Sequence, residues 1–170
     1  MFKLIKLAIK LFVLVLIVVG GMYIYYNYFS VDSAMSETQI ETLELMGPPE
    51  QFAITYLPQG DGENEHLARQ EVWFYPSKAQ KFSFLAGVLT GTEDLEIIEG
   101  ANYSKTTLKS EEFDFYTSYD DLKMKFGESN IAPIDLPPFT DEEGDVKTVA
   151  TEDAIFIFEQ GYLTYMETLD

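Results

Sequence analysis

Three lysines, Lys3, Lys6 and Lys10, precede an uncharged run over residues 11–29. A helix rises about 1.5 Å per residue, so such a run spans roughly 28 Å, close to the roughly 30 Å hydrocarbon core of a bilayer. Residues 11–19 are aliphatic apart from Phe12, and Gly20-Gly21 leads into Tyr23, Tyr25, Tyr26 and Tyr28. Phenolic rings suit an interface with one apolar and one wet side, and basic charge at the amino-terminal end favours its retention in the cytoplasm. These residues predict a single-pass signal anchor whose interface groups are Lys3, Lys6, Lys10, Tyr23, Tyr25, Tyr26 and Tyr28. The amino terminus is expected in the cytoplasm and the carboxy-terminal domain on the extracytoplasmic side, in the cell envelope. A cleaved signal peptide shares the basic start and apolar core, with Val31-Asp32-Ser33 a weak cleavage site before Ala34. The tyrosine cluster between core and site favours the uncleaved form. Gly20-Gly21 admits either close helix packing or a bend.

Beyond this segment the chain is strongly acidic. With the three early lysines set aside, residues 30–170 carry 8 basic against 29 acidic side chains, a formal charge of −21. Such a field disfavours nucleic acid and anionic headgroups as partners of that part, and it keeps the domain dispersed. No cysteine is present, which excludes disulfides, thiol catalysis and thiolate metal sites. Stability then has to come from apolar burial and backbone pairing, for which 13 Phe and 11 Tyr supply material.

A linker is expected over residues 30–35, followed by a first module at 36–110 and a second at 111–170 that shares or adjoins the same core. Ser36 and Gln39 have the spacing of a capping box, and Ile40, Leu43 and Met46 form an apolar stripe before Gly47-Pro48-Pro49 ends the helix. Strands are predicted over 52–57, 69–75 and 81–85, the last two joined by Pro76-Ser77-Lys78-Ala79. On them Val72, Phe74, Phe82 and Phe84 supply a buried face, while Trp73 and Tyr75 project oppositely. Gly87 and Gly91 interrupt the next segment, and residues 95–98 and 106–108 are weaker strand candidates. Ser118 opens a second helix with Tyr119, Leu122 and Phe126 as its stripe, and residues 153–158 and 162–166 read as a hairpin. The predicted fold class is therefore α+β: an N-terminal transmembrane helix, then short helices packed on an antiparallel sheet. The comparable spacing of the two halves reads as two divergent helix-sheet repeats, with independently arising helix-hairpin units as the alternative.

Met46-Gly47-Pro48-Pro49, Val72-Trp73-Phe74-Tyr75 and Lys81-Phe82-Ser83-Phe84, in this order, weakly resemble the small envelope domains of outer-membrane assembly lipoproteins and β-lactamase-inhibitor-like proteins. The resemblance covers about half of residues 30–170 and implies an envelope scaffold or protein-binding module whose helices cover one sheet face. The lipid-attachment cysteine of the assembly lipoproteins is missing here.

No constellation for chemistry stands out, so no catalytic, cofactor-binding or metal residue is assigned, and no cofactor is expected. His66 is the single histidine and reads as an exposed loop residue. The acidic loops, Asp61 with Glu63 and Glu65, and Asp141-Glu142-Glu143-Gly144-Asp145, lack the spacing of a twelve-residue calcium loop. Glu111-Glu112 and Asp120-Asp121 are adjacent pairs that need not face one reaction centre. Candidate partner-binding residues are the large aromatics Trp73, Tyr75, Tyr103, Tyr162 and Tyr165, with Tyr116 beside them, since rings bury area at modest entropic cost. The expected function is a membrane-anchored, envelope-facing interaction or scaffold domain. Its partners are the lipid bilayer and a membrane or envelope protein; the alternative is an extracytoplasmic small-ligand or cation-binding module, and after it an enzyme of unrecognised geometry.

Overall fold

The structure, a computed structural model, describes residues 35–61, 66–96, 103–134 and 146–169. The strands occupy one antiparallel sheet. In chain order the elements are α1 (Glu37–Met46), β1 (Gln51–Gln59), β2 (His66–Tyr75), β3 (Gln80–Leu85), β4 (Val88–Asp94), α2 (Tyr119–Phe126), β5 (Ala132–Pro133), β6 (Val146–Ala150), β7 (Ala154–Glu159) and β8 (Tyr162–Thr168). The spatial order is β4-β3-β2-β1-β8-β7-β6-β5, two meanders that meet where β1 pairs with β8.

This corrects the predicted α+β class. The described domain is mainly an eight-stranded antiparallel sheet, and its two α-helices are only 10 and 8 residues long. β4, β5 and β6 escape prediction from the sequence because they show no clean apolar alternation. β4 is exposed along nearly its whole length, so nothing selects apolar side chains there. Residues 106–108, expected as a strand, form none.

The membrane expectation is corrected as well. No helix among the described residues is long and apolar enough to cross a membrane. The longer of the two rises about 15 Å, half of what a bilayer core requires. The anchor expected over residues 1–29, with its interface lysines and tyrosines, lies outside the described residues. The expected single-pass transmembrane placement, with a cytoplasmic amino terminus and an extracytoplasmic domain, has no spanning helix behind it among the described residues.

The helices start where their caps dictate. Ser36 and Gln39 form a reciprocal capping box on α1, and Ser118 and Asp121 form another on α2. The expected stripe of α1 is only partly right. Leu43 and Met46 pack against the core, whereas Ile40 is 46% exposed and the buried positions are Gln39 and Thr42. Both polar side chains are occupied locally: the Gln39 amide oxygen accepts from Ser36 N, and the Thr42 hydroxyl donates to Thr38 O.

One sheet face carries the core. Phe52, Ile54, Trp73, Phe84, Val149, Phe156, Leu163 and Met166 are all fully buried. Trp73 packs on Phe84 at 4.7 Å between ring centroids, and α2 lies over this face through Phe126 against Phe156 and Tyr119 against Phe158. The alternation along β2 is real but its sense is opposite to the expectation. Trp73 and Tyr75 face the core together with Phe82 and Phe84, and Val72 and Phe74 lie half-buried on the other face. Cross-strand register settles this, because Trp73 pairs with Phe82 and directly opposed residues share a face.

The β3-β4 and β7-β8 hairpins have two-residue turns with positive φ at both positions, Ala86-Gly87 and Gln160-Gly161. That is the turn whose twist matches the strands it joins.

Candidate functional site

The sheet face that carries neither described helix, the helix-free face among the described residues, is continuous. Register runs unbroken from Leu85 through Gln70, Thr55, Tyr165 and Ile157 to Thr148, one residue per strand across β3, β2, β1, β8, β7 and β6. A second row sets Val72, Ala53, Glu167 and Ile155 side by side. α1 through Leu43 and Met46, and α2 through Tyr119, Leu122 and Phe126, pack with the core on the opposite face. Most residues of these rows are half-buried, with apolar groups next to Gln70, Thr55 and Glu167. Ile157 is buried yet lies outside the main core cluster. The Tyr165 hydroxyl donates to Glu167 Oε2 at 2.6 Å, and burial followed by this carboxylate bond raises the phenol pKa.

At one end of this face the sheet forks. β1 and β8 pair only from Ala53 to Thr55 against Glu167 to Tyr165. Beyond that, residues 56–59 pair with β2 alone and residues 162–163 with β7 alone. Two local features account for the split. Thr164 is an extra residue in β8, between Tyr165 opposite Ile157 and Leu163 opposite Phe158, and such a bulge bends its strand. Pro58 has no N–H to offer a further strand, so it is tolerated in β1 where that side has no ladder.

Phe115 is wedged into the fork. Its carbonyl accepts from Leu163 N at 3.1 Å, its ring stacks on Tyr162 at 4.7 Å and 5°, and it meets Tyr56 edge-on at 5.3 Å. The result is a groove of about 610 Å³ whose walls include Thr55, Tyr56, Phe115, Tyr162 and Tyr165, with Glu159 at its rim. Burial pushes the Tyr56 phenol up to about 12 against the opposing pull of Arg69.

A buried polar cluster holds the wedge segment in place. Arg69 Nε bonds Glu71 Oε1 at 2.7 Å, one terminal nitrogen donates to Ser110 O at 2.7 Å, and the other donates to Phe113 O and to the Tyr56 hydroxyl. Glu71 Oε2 accepts from Trp73 Nε1 at 2.9 Å. A desolvated guanidinium requires this set of acceptors. The bonds to Ser110 and Phe113 tie residues 110–113 to β2, and Phe115 follows two residues later.

The predicted aromatics are thus divided. Tyr162, 43% exposed, and Tyr165 come together at the groove, with Tyr116 in edge contact with Tyr162 at 6.1 Å. Trp73 and Tyr75 are at most 1% exposed and belong to the core, the Tyr75 hydroxyl donating to Gly47 O. Tyr103 is half-buried and does not line the groove. His66 is the first residue of β2, opposite Gln59, and is exposed. Asp61 ends a described stretch, while Glu63, Glu65 and the loop at 141–145 lie outside the described residues. Among the described residues no three carboxylate or histidine side chains converge as metal ligands. Phe115, Tyr56 and Glu159 went unnoticed in the sequence. Pro58, directly after the strand predicted over 52–57, carries the sequence signal for a broken ladder.

No family model, characterised protein or solved structure matches the chain.

Proposed function

We propose that this domain is a protein-interaction module that presents the helix-free face of its sheet to a partner. The observation that carries the reading is the unbroken register across six strands on the face that neither described helix covers, with half-buried apolar and polar side chains on β3, β2, β1 and β8 and buried ones at Ile157 and Thr148. Rigid strands hold such a patch at little entropic cost, and its mixture of aromatic, aliphatic and polar groups is that of a non-obligate interface. The resemblance carried by residues 46–49, 72–75 and 81–84 implies the same class of module.

The test is site-specific photocrosslinking in native extract. A crosslinker at Gln70 or Val72 should capture one defined protein, and the same group at Met124, 79% exposed on α2, should not. Equal capture at the two places, or none at Gln70 and Val72, would count decisively against this face as the interface.

A further inference from the structure

We infer that the fork between β1 and β8 receives an arginine side chain of the protein that docks on the helix-free face; this rests on the interaction reading above. Four aromatic residues, Tyr56, Phe115, Tyr162 and Tyr165, line the groove together with the exposed Glu159. Among the described residues no lysine, arginine or histidine lines it. Aromatic faces are electron-rich, so rings beside a carboxylate make an environment selective for an organic cation.

The rest of the protein sharpens the contrast. Lys147 and Lys123 stand over the Tyr119 ring at 3.2 and 4.5 Å, Lys78 stands over Tyr75, and Lys125 stands over Phe113 and Phe126. Among the described residues no such cation stands over any of the four groove rings. Arg69 reaches only the hydroxyl of Tyr56, from within the core, and Glu71 neutralises it. Glu159 is exposed and has no ion pair among the described residues.

Arginine fits better than a compact ammonium for a geometric reason. Phe115 and Tyr162 are parallel within 5°, and a planar guanidinium extends such a stack while its edge nitrogens meet a carboxylate. The net charge of −18 draws a basic partner toward the domain, and the groove then selects where its arginine seats.

The experiment is an NMR titration of the full chain with Nα-acetylarginine amide, set against the neutral isostere Nα-acetylcitrulline amide. Saturable shifts are expected at Phe115 and residues 159–165 with the arginine derivative and not with the citrulline one. Glu159→Gln and Tyr162→Ala, both at exposed positions, should each weaken binding by roughly two- to fivefold, the scale of one exposed charge or cation-ring contact. Equal shifts with citrulline, shifts scattered over the acidic surface, or unchanged affinity in Glu159→Gln would overturn the inference. Failure here with Gln70 and Val72 still crosslinking would remove the arginine receptor and leave the docking face standing. Loss of crosslinking with arginine binding intact would do the reverse to the docking face and still support a guanidinium site in the fork.

Discussion

Arg69 and Glu71 stand two residues apart on β2 and bond at 2.7 Å, with side chains only 5% and 9% exposed. Residues i and i+2 of a strand share a face, so alternation itself places both charges in the core. Their value lies less in mutual attraction than in the carbonyls Arg69 engages at Ser110 and Phe113 and the indole Glu71 accepts from Trp73. Glu71→Ala should cost about 3–5 kcal/mol, the penalty for breaking a buried pair and stranding its partner. Urea unfolding measures the loss, and amide exchange should show residues 110–115 opening before the sheet. A loss below about 1 kcal/mol would mean that water reaches Arg69.

Glu50 is 2% exposed and bonded by the backbone N–H and hydroxyl of Ser77, with Lys105 Nζ at 3.7 Å. Burial opposes its charged form, but the Ser77 bonds and then Lys105 outweigh it and hold the pKa below the ordinary 4.5. The lowered folded-state value means that the stabilisation is complete above pH 4.5 and disappears as pH falls through that lower value. Thermal unfolding from neutral to acid pH should show the wild type ahead of Glu50→Gln at pH 7, with the gap narrowing below 4.5. A gap independent of pH would assign the difference to shape instead of charge.

Gly87 has φ +76° in the β3-β4 turn, and a Cβ there would stand 2.8 Å from Ser36 Cβ. Ser36 also donates its hydroxyl to Gly87 O while capping α1. Gly87→Ala should therefore cost more than the roughly 1 kcal/mol of backbone strain alone, because the cap has to shift too. Gly91→Ala, with nothing within 4 Å, is the control and should change stability by less than about 0.5 kcal/mol. Helical signal and melting temperature of the two variants decide the matter.

Thr148 is 6% exposed, and its Oγ1 has no hydrogen-bond partner among the described residues. Thr148→Val keeps the shape, suits a strand, and removes a buried hydroxyl whose desolvation is uncompensated. The substitution should stabilise by about 1 kcal/mol in chemical denaturation. Destabilisation would show that the hydroxyl is bonded in solution.

How much of this was legible in the sequence depended on whether the signal was local. The caps at Ser36 and Ser118, the turn at residues 76–79 and the hairpin closing at Gly161 are each specified by residues a few positions apart. The strands β2, β3, β7 and β8 followed from alternation. The buried side of β2 did not, since Val72-Trp73-Phe74-Tyr75 is apolar on both faces and alternation alone cannot orient it. Tyr162 and Tyr165 were recognisable as candidate rings, whereas Phe115, nearly fifty residues earlier, carried no mark of the wedge it forms.

The sequence by itself determined the acidic field, the absence of thiol chemistry and most of the local elements, because composition, capping and turn geometry act over short stretches of chain. Only the tertiary structure decided that the two meanders join at β1 and β8, that they part again at Thr164 and Pro58, and that Arg69 draws residues 110–113 over the sheet. Those outcomes rest on cross-strand register and on the desolvation of a charge far from its acceptors in sequence. Neither leaves a periodic trace along the chain.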